Sequence, residues 1–476
     1  MTHRSVTSRR NFLYGGMAGL GASALAWLSA REGAAQQAAA GPDFEPKAKR
    51  AIWLFMGGGP SQLDLFDYKP GLAERYDQDL PESVRGGQRL SGMTSGQSRL
   101  PIAPSAFAFE RAGESGAWVS ELLPNTRRIV DQLAIVKTVS TQSINHELAM
   151  SNINTGSQLP GKPAVGAWLS YGLGRIRDDV PTYVVMTSRF STVKNVQAIP
   201  SRLWSSAFLP ASLSGIPLRS VGDPVLYLPN PPGVSVESRR AMLDALGQLN
   251  DLSERSLHDP SIGERTSQYE LAFRMQKSVP GLTDVSNEPE STLALYGDDV
   301  STPGTFAANC IAARRMLERG VRFVQIYHRG WDAHTNTPSN HVSQCRDIDR
   351  ACYGLITDLK ERGMLEDTLV IWGGEFGRTV YCQGDLTRND YGRDHHPRCF
   401  PVWLAGGGIR PGIVHGETDD FSYNVVRDEV PLRNLHATIL RLFGLDPQRL
   451  TFNHAGLNEK LVGVGPPAEA VSALLA

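Results

Sequence analysis

The sequence predicts an α/β protein built on one mainly parallel, doubly wound sheet. Three observations predict it. Short apolar runs such as Ala51–Met56 and Thr368–Trp372 are continuous rather than alternating, as strands buried on both faces are. Helical patterns alternate with them along the chain. Carboxylates and imidazoles recur just beyond the C-terminal ends of the strands, the edge where open α/β sheets bind ligands.

The first strand, Ala51–Met56, runs into Gly57-Gly58-Gly59-Pro60-Ser61-Gln62-Leu63-Asp64. Its glycines let the backbone approach a ligand or pack tightly at a turn. A phosphate-binding P-loop is excluded, because no Gly-Lys-Ser/Thr follows. Residues 69–116, polar and rich in Gly, Ser and Pro, read as a surface excursion. Arg127–Lys137 reads as a helix running into a strand. His146 then opens a helix, where outward-pointing N–H groups stabilise anions. Met150 occupies the place of a second histidine, so this is not a zinc-protease helix. Thr182–Met186 and Val225–Leu228 read as strands. The irregular segment between them, with Phe190, Trp204 and Phe208, suits a wall or lid over a substrate. Helices are predicted over Val236–Glu254, Ile262–Gln276 and Phe306–Gly320, the last stopping at glycine.

The densest chemistry lies between Val321 and Pro401. A strand at Val321–Tyr327 delivers His328, Trp331, Asp332 and His334 just past its end, and a long amphipathic helix follows to Arg362-Gly363. The strand Thr368–Trp372 leads into Gly373-Gly374-Glu375-Phe376-Gly377-Arg378-Thr379. A polar loop then brings Gly392-Arg393-Asp394-His395-His396-Pro397. A strand at Phe400–Ala405 and a helix at Pro431–Phe443 complete the pattern.

The potential ligands near strand ends are Asp64, His146, Asp332, His334, Glu375, Asp394, His395 and His396. Mixed carboxylate–imidazole sets suit Zn, Mn or Fe, and an all-oxygen subset suits Ca or Mg. A regular element can send only one ring of His395-His396 inward, whereas a loop could use both. Arg378 and Arg393 carry guanidinium forks that match phosphate, sulfate or carboxylate. No Gly-x-Ser-x-Gly nucleophile elbow occurs.

The chain has 476 residues, a formal net charge of −1, 41% hydrophobic and 20% charged residues, an ordinary globular balance that gives no electrostatic reason to expect nucleic acid. Its five cysteines form no Cys-x-x-Cys pair, and Cys345 and Cys352 are too far apart along one helix for a disulfide. Ser8-Arg9-Arg10-Asn11-Phe12-Leu13, followed by a short Gly/Ala-rich run, has the pattern of a twin-arginine export signal. That run is short for a spanning helix, so cleavage rather than a permanent membrane span is expected, with a periplasmic or extracellular product. Residues 1–40 read as signal and linker, and 41–476 as one domain with an insertion around 187–300.

Six motifs carry a family resemblance: GGGPSQLDLFD (57–67), HELAMSNINTG (146–156), GWDAHTN (330–336), LVIWGGEFGRT (369–379), GRDHHP (392–397) and LHATILRLFGLD (435–446). By these the chain resembles the alkaline phosphatase and sulfatase superfamily, in an uncharacterised twin-arginine-exported branch, the domain of unknown function numbered fifteen hundred and one. The resemblance implies an alkaline-phosphatase-like three-layer sandwich. It implies a hydrolase using a divalent metal (Zn, Mn, Ca or Mg) on a phosphate or sulfate ester, with an esterified extracellular polysaccharide as a fitting substrate. Asp64, Asp332, His334, Asp394, His395 and His396 would hold metal. Glu375 would be ligand or general base, His146 nucleophile, general acid or ligand, and Arg378 an anion clamp. His146 stands where sulfatases carry a modified cysteine, and Glu375-Phe376 where they carry Asp-His. These departures keep a second reading open: a catalytically inactive relative that binds a glycan or a partner protein.

Overall fold

The computed structural model describes residues 41–191, 196–219, 230, 233–257, 260–278 and 284–476. The twin-arginine stretch with Arg9 and Arg10, and the strand expected at Val225–Leu228, lie outside the described residues. The strands that matter here are β1 (Arg50–Gly57), β2 (Leu133–Ser140), β3 (Tyr183–Thr187), β4 (Ile216–Leu218), β5 (Phe323–Arg329), β6 (Thr368–Gly373), β7 (Gly377–Gln383), β8 (Gly392–His396), β9 (Phe400–Ala405), β10 (Ile413–His415) and β11 (Val430–Pro431). The helices that matter here are α1 (His146–Thr155), α2 (Val165–Leu173), α3 (Val236–Leu257), α4 (Pro260–Ser278), α5 (Phe306–Glu318), α6 (Thr337–Glu361) and α7 (Leu432–Leu442).

One nine-stranded sheet runs in the order β10-β2-β9-β6-β1-β5-β3-β4, with β11 also paired to β2. Only β9 is antiparallel to its neighbours, β2 and β6; the other pairings are parallel. The sheet is covered on both faces, which is why β1 reads as continuously apolar. Its Ile52, Leu54 and Met56 join a core with α5 and α6 residues such as Ile311 and Leu355. Its Ala51, Trp53 and Phe55 face Ile153, Leu169 and Ile439 of α1, α2 and α7. The result is the mainly parallel, doubly wound sheet that the apolar runs and alternating helices predict, in the three-layer α/β/α sandwich that the resemblance implies.

Register positions the site. Gly57 lies opposite Arg329, and Phe55 opposite both Tyr327 and Gly373, so β1, β5 and β6 end almost level. The loops 58–64, 330–334 and 374–376 therefore meet at one edge. Two expectations change. Residues 377–383 and 392–396, for which no strand was expected, form an antiparallel ribbon, β7–β8, apart from the main sheet. His328, expected beyond its strand, lies within β5, fully buried, and accepts a hydrogen bond at Nδ1 from Trp331 Nε1 at 3.1 Å. All five cysteines are free and buried. Among the described residues, no helix is long and apolar enough to cross a membrane.

Candidate metal centre

The glycines after β1 serve close packing. Gly58 has φ +117°, and a Cβ there would sit 2.5 Å from the Asp332 amide nitrogen. At Gly59, φ +78°, a Cβ would meet the Phe376 ring at 2.7 Å. Any larger residue would push apart the two loops that carry Asp332 and Glu375.

Four side chains converge where these loops meet. Ligand atoms of His146, Asp332, His334 and His395 all lie within 4.8 Å of one another. His146 is the first residue of α1, whose N-cap Asn145 accepts the Glu147 N–H. Asp332 and His334 hang from the loop after β5, and His395 from β8. The three Nε2 atoms approach Asp332 at 3.2 Å (His146 to Oδ2), 2.9 Å (His334 to Oδ1) and 3.3 Å (His395 to Oδ1).

The opposite ring nitrogens are tied down outside the cluster. His146 Nδ1 lies 2.7 Å from Glu375 Oε1, His334 Nδ1 2.6 Å from Gln383 Oε1, and His395 Nδ1 2.6 Å from the Ile144 carbonyl oxygen. Those oxygens accept, so each Nδ1 carries a proton and each ring turns its Nε2 toward Asp332. Glu375 is itself fixed by the Gly58 N–H, at 3.0 and 3.2 Å. Oxygen acceptors on the far nitrogen of ligand histidines are the usual outer support of a metal site.

The electrostatics of the cluster are those of a buried carboxylate among imidazoles. Burial would raise the Asp332 pKa, but the Arg378 guanidinium and the three histidines hold it well below the usual carboxylate range. Burial is also the main reason that His395 is pushed down to about 4, so its ring is neutral at pH 7. With Nδ1–H on the Ile144 carbonyl, the His395 ring presents Nε2 to the carboxylate oxygen at 3.3 Å, where a cation between the two would take a lone pair from each. His146 Nε2 is buried without a hydrogen-bond partner, although it lies 3.2 Å from Asp332 Oδ2. Burial disfavours charge on His146 as well, yet Asp332 and Glu375 together raise its pKa. Three imidazole nitrogens and one ionised carboxylate, one nitrogen orphaned, fit a divalent cation.

The remaining predicted residues are placed elsewhere. Asp64 is fully buried and spent on Arg393 Nε (2.8 Å), Tyr391 (2.8 Å) and Ser61 (2.5 Å). Burial would raise its pKa, but Arg393, His341 and the Ser61 hydrogen bond lower it to about 2. Asp394 accepts from Ser91, from Thr94 at 2.5 Å and from the His395 amide at 2.8 Å. Ser91 and Thr94 belong to the stretch expected to be a surface excursion. His396 donates Nε2–H to the Tyr423 carbonyl at 2.7 Å and stacks on the Tyr423 ring. None of the three joins the cluster, so the six-residue ligand set contracts to Asp332, His334 and His395, with His146 added.

Neither arginine is a free anion clamp. Arg378 is fully buried, and its fork donates to the Gly58, Gly59 and Arg393 carbonyls and, at 2.7 Å, to Asp332 Oδ1. Arg393 donates to Asp64 and to the Thr379, Val380 and Ala103 carbonyls. Both are internal counterions that shape the loops. Two contributors had no chemical signature in the sequence: Gln383, and Gln197, which donates to Asp332 Oδ2 at 2.6 Å from the irregular segment after β3.

An α/β/α sandwich with a histidine–carboxylate cluster at the level strand ends defines the class. The chain belongs to the family described as Protein of unknown function (DUF1501), whose model matches residues 48–475. No curated protein matches it significantly. Among solved structures it is similar to alkaline phosphatase from the Antarctic bacterium TAB5 (14% identity, TM-score 0.34, covering 84% of this chain and 99% of that one). It is also similar to PsFucS1 sulfatase from Pseudoalteromonas sp. (13%, 0.34, 94% and 76%) and to Ps i-CgsB in complex with k-i-k-neocarrahexaose (8%, 0.37, 86% and 75%). At such values activity has to be read from the site itself.

Proposed function

We propose that this chain is a metal-dependent hydrolase of phosphate or sulfate esters, exported by the twin-arginine route to the periplasm or beyond. The observation that carries this reading is the anchoring of three imidazoles through Nδ1, so that three Nε2 atoms converge on one ionised carboxylate. His146, Asp332, His334 and His395 would hold the ion, and an imidazole-rich set suits Zn or Mn better than Ca or Mg. Bound there, a divalent cation supplies Lewis acidity to the anionic oxygens of an ester. The chain's own groups do the rest. Arg378 keeps Asp332 ionised, Glu375 fixes the His146 ring, and the N-terminal turn of α1 adds partial positive charge beside the site. With histidine at the start of α1, water rather than a side-chain nucleophile would attack.

The test is hydrolysis of para-nitrophenyl phosphate and sulfate before chelation, after it, and after metal is returned. Turnover that disappears and returns with Zn or Mn supports the reading; no turnover of either ester by metal-loaded protein contradicts it. A second reading, an inactive relative that binds a glycan or a partner protein, draws on the complete engagement of Arg378 by internal acceptors. Metal bound without any turnover would favour it. Export rests on Arg9 and Arg10, and retention of the R9K/R10K variant in the cytoplasm would support it.

A further inference from the structure

A groove of about 1150 Å³ opens beside the cluster, with His395 and Ile144 on its wall. Its volume exceeds the roughly 300–1,000 Å³ that envelops a drug-sized ligand. The space suits a chain-like molecule rather than one small ester.

Its charge is unlike that of the whole protein. Five cationic side chains line it against two acidic ones, whereas the chain's net charge is −1. Both acids are already engaged: Glu429 accepts from Ser140 at 2.7 Å, and Glu459 pairs with Lys162 at 2.5 Å. Arg89 and Arg398 are exposed and have no ion-pair partner among the described residues. Arg433 has a buried Nε without a hydrogen bond. Lys460 donates to the neutral Gln448 at 3.2 Å and has no ion-pair partner among the described residues. These cations come from separate segments of the chain and share the lining of one long groove. The rim carries three of the protein's exposed aliphatic side chains, Leu159, Leu457 and Val464, at 69%, 65% and 92% exposure. Aliphatic surface beside unpaired guanidinium groups suits a ligand with C–H faces and repeated anionic groups.

We propose that this groove binds an oligosaccharide bearing several sulfate or phosphate groups, and presents one of them to the cluster. The proposal rests on the ester-hydrolase reading only for that last step, because binding needs neither metal nor turnover.

The experiment is calorimetric titration of the full chain with oligomeric dextran sulfate, neutral dextran of the same length, inorganic sulfate and anionic phosphatidylglycerol vesicles. The sulfated oligomer is expected to bind at least about tenfold tighter than neutral dextran or inorganic sulfate. Its affinity should fall with added salt. The variant Arg398→Gln/Arg433→Gln should weaken it by about tenfold or more. Lys49→Gln/Arg319→Gln removes the same charge near the opposite edge of the sheet and should leave binding unchanged. Equal binding of sulfated and neutral oligomers, or equal weakening by both double variants, would overturn the proposal. So would vesicle binding of the same strength that depends on Arg398 and Arg433. Sulfated-oligomer binding without hydrolysis of any ester would leave the groove standing and remove the hydrolase reading.

Discussion

His395 and His396 are consecutive, yet their rings serve different parts of the molecule. His395 Nε2 lies 3.3 Å from Asp332 Oδ1, while His396 Nε2 donates to the Tyr423 carbonyl at 2.7 Å. Strand alternation in β8 separates them, and the register shift between Arg393 and His395 sends Asp394 in yet another direction. His395→Ala should therefore reduce metal affinity by more than the roughly 10- to 100-fold of a lost supporting contact. His396→Ala should retain metal and lose about 1–3 kcal/mol of stability, having orphaned a buried carbonyl. Metal titration and denaturant unfolding of both variants check the pair.

Glu375 reaches the cluster only through His146. Replacing it with glutamine keeps an oxygen for the His146 Nδ1–H but removes the charge. Metal affinity should fall by roughly 10- to 100-fold while the fold persists. An unchanged affinity in competition with a chelating dye would show that the 2.7 Å contact does not tune the site.

Arg378 is held by carbonyls and Asp332 on every side. Arg378→Met should cost about 3–5 kcal/mol in urea unfolding, because it leaves a buried carboxylate and several carbonyls unpaired. A surface anion clamp would instead change substrate affinity and leave stability alone.

Acid should weaken the fold through two buried histidines that are not part of the four-residue cluster. His341 donates Nδ1–H to the Thr337 carbonyl and accepts the Ser61 N–H at Nε2, so both nitrogens are occupied in the neutral form. His436 donates Nε2–H to the Ile153 carbonyl. Burial is the main cause that pushes each from 6.5 down to about 4. With folded values below unfolded ones, the unfolded chain binds protons first. The stability is complete above pH 6.5 and lost as pH falls toward 4. Unfolding free energy should drop on the order of 2 kcal/mol per histidine between about pH 7 and pH 5. A denaturation midpoint independent of pH over that range would contradict this.

Much of the layout was legible in the sequence because it depends on local pattern. Continuous apolar strands, a helix opening at His146 and ligand-type residues beyond strand ends all follow from periodicity and residue chemistry. Asp64, Asp394 and His396 have that chemistry too, but their partners arrive from distant segments: Arg393, Ser91 with Thr94, and the Tyr423 carbonyl. Side-chain direction in β8 depends on pairing with β7 and on an irregularity that no spacing announces. Gln197 and Gln383 are neutral amides, indistinguishable in sequence from surface residues. The arginines show the same limit, since a guanidinium fork matches backbone carbonyls as well as an anion.

The most direct measurement is the metal content of natively purified protein, determined by plasma mass spectrometry for the wild-type chain and the His395→Ala variant. The account predicts about one Zn or Mn ion per wild-type chain and a small fraction of that in the variant. Metal-free wild-type protein that also fails to take up Zn or Mn on titration would contradict it, as would a variant that keeps the full complement.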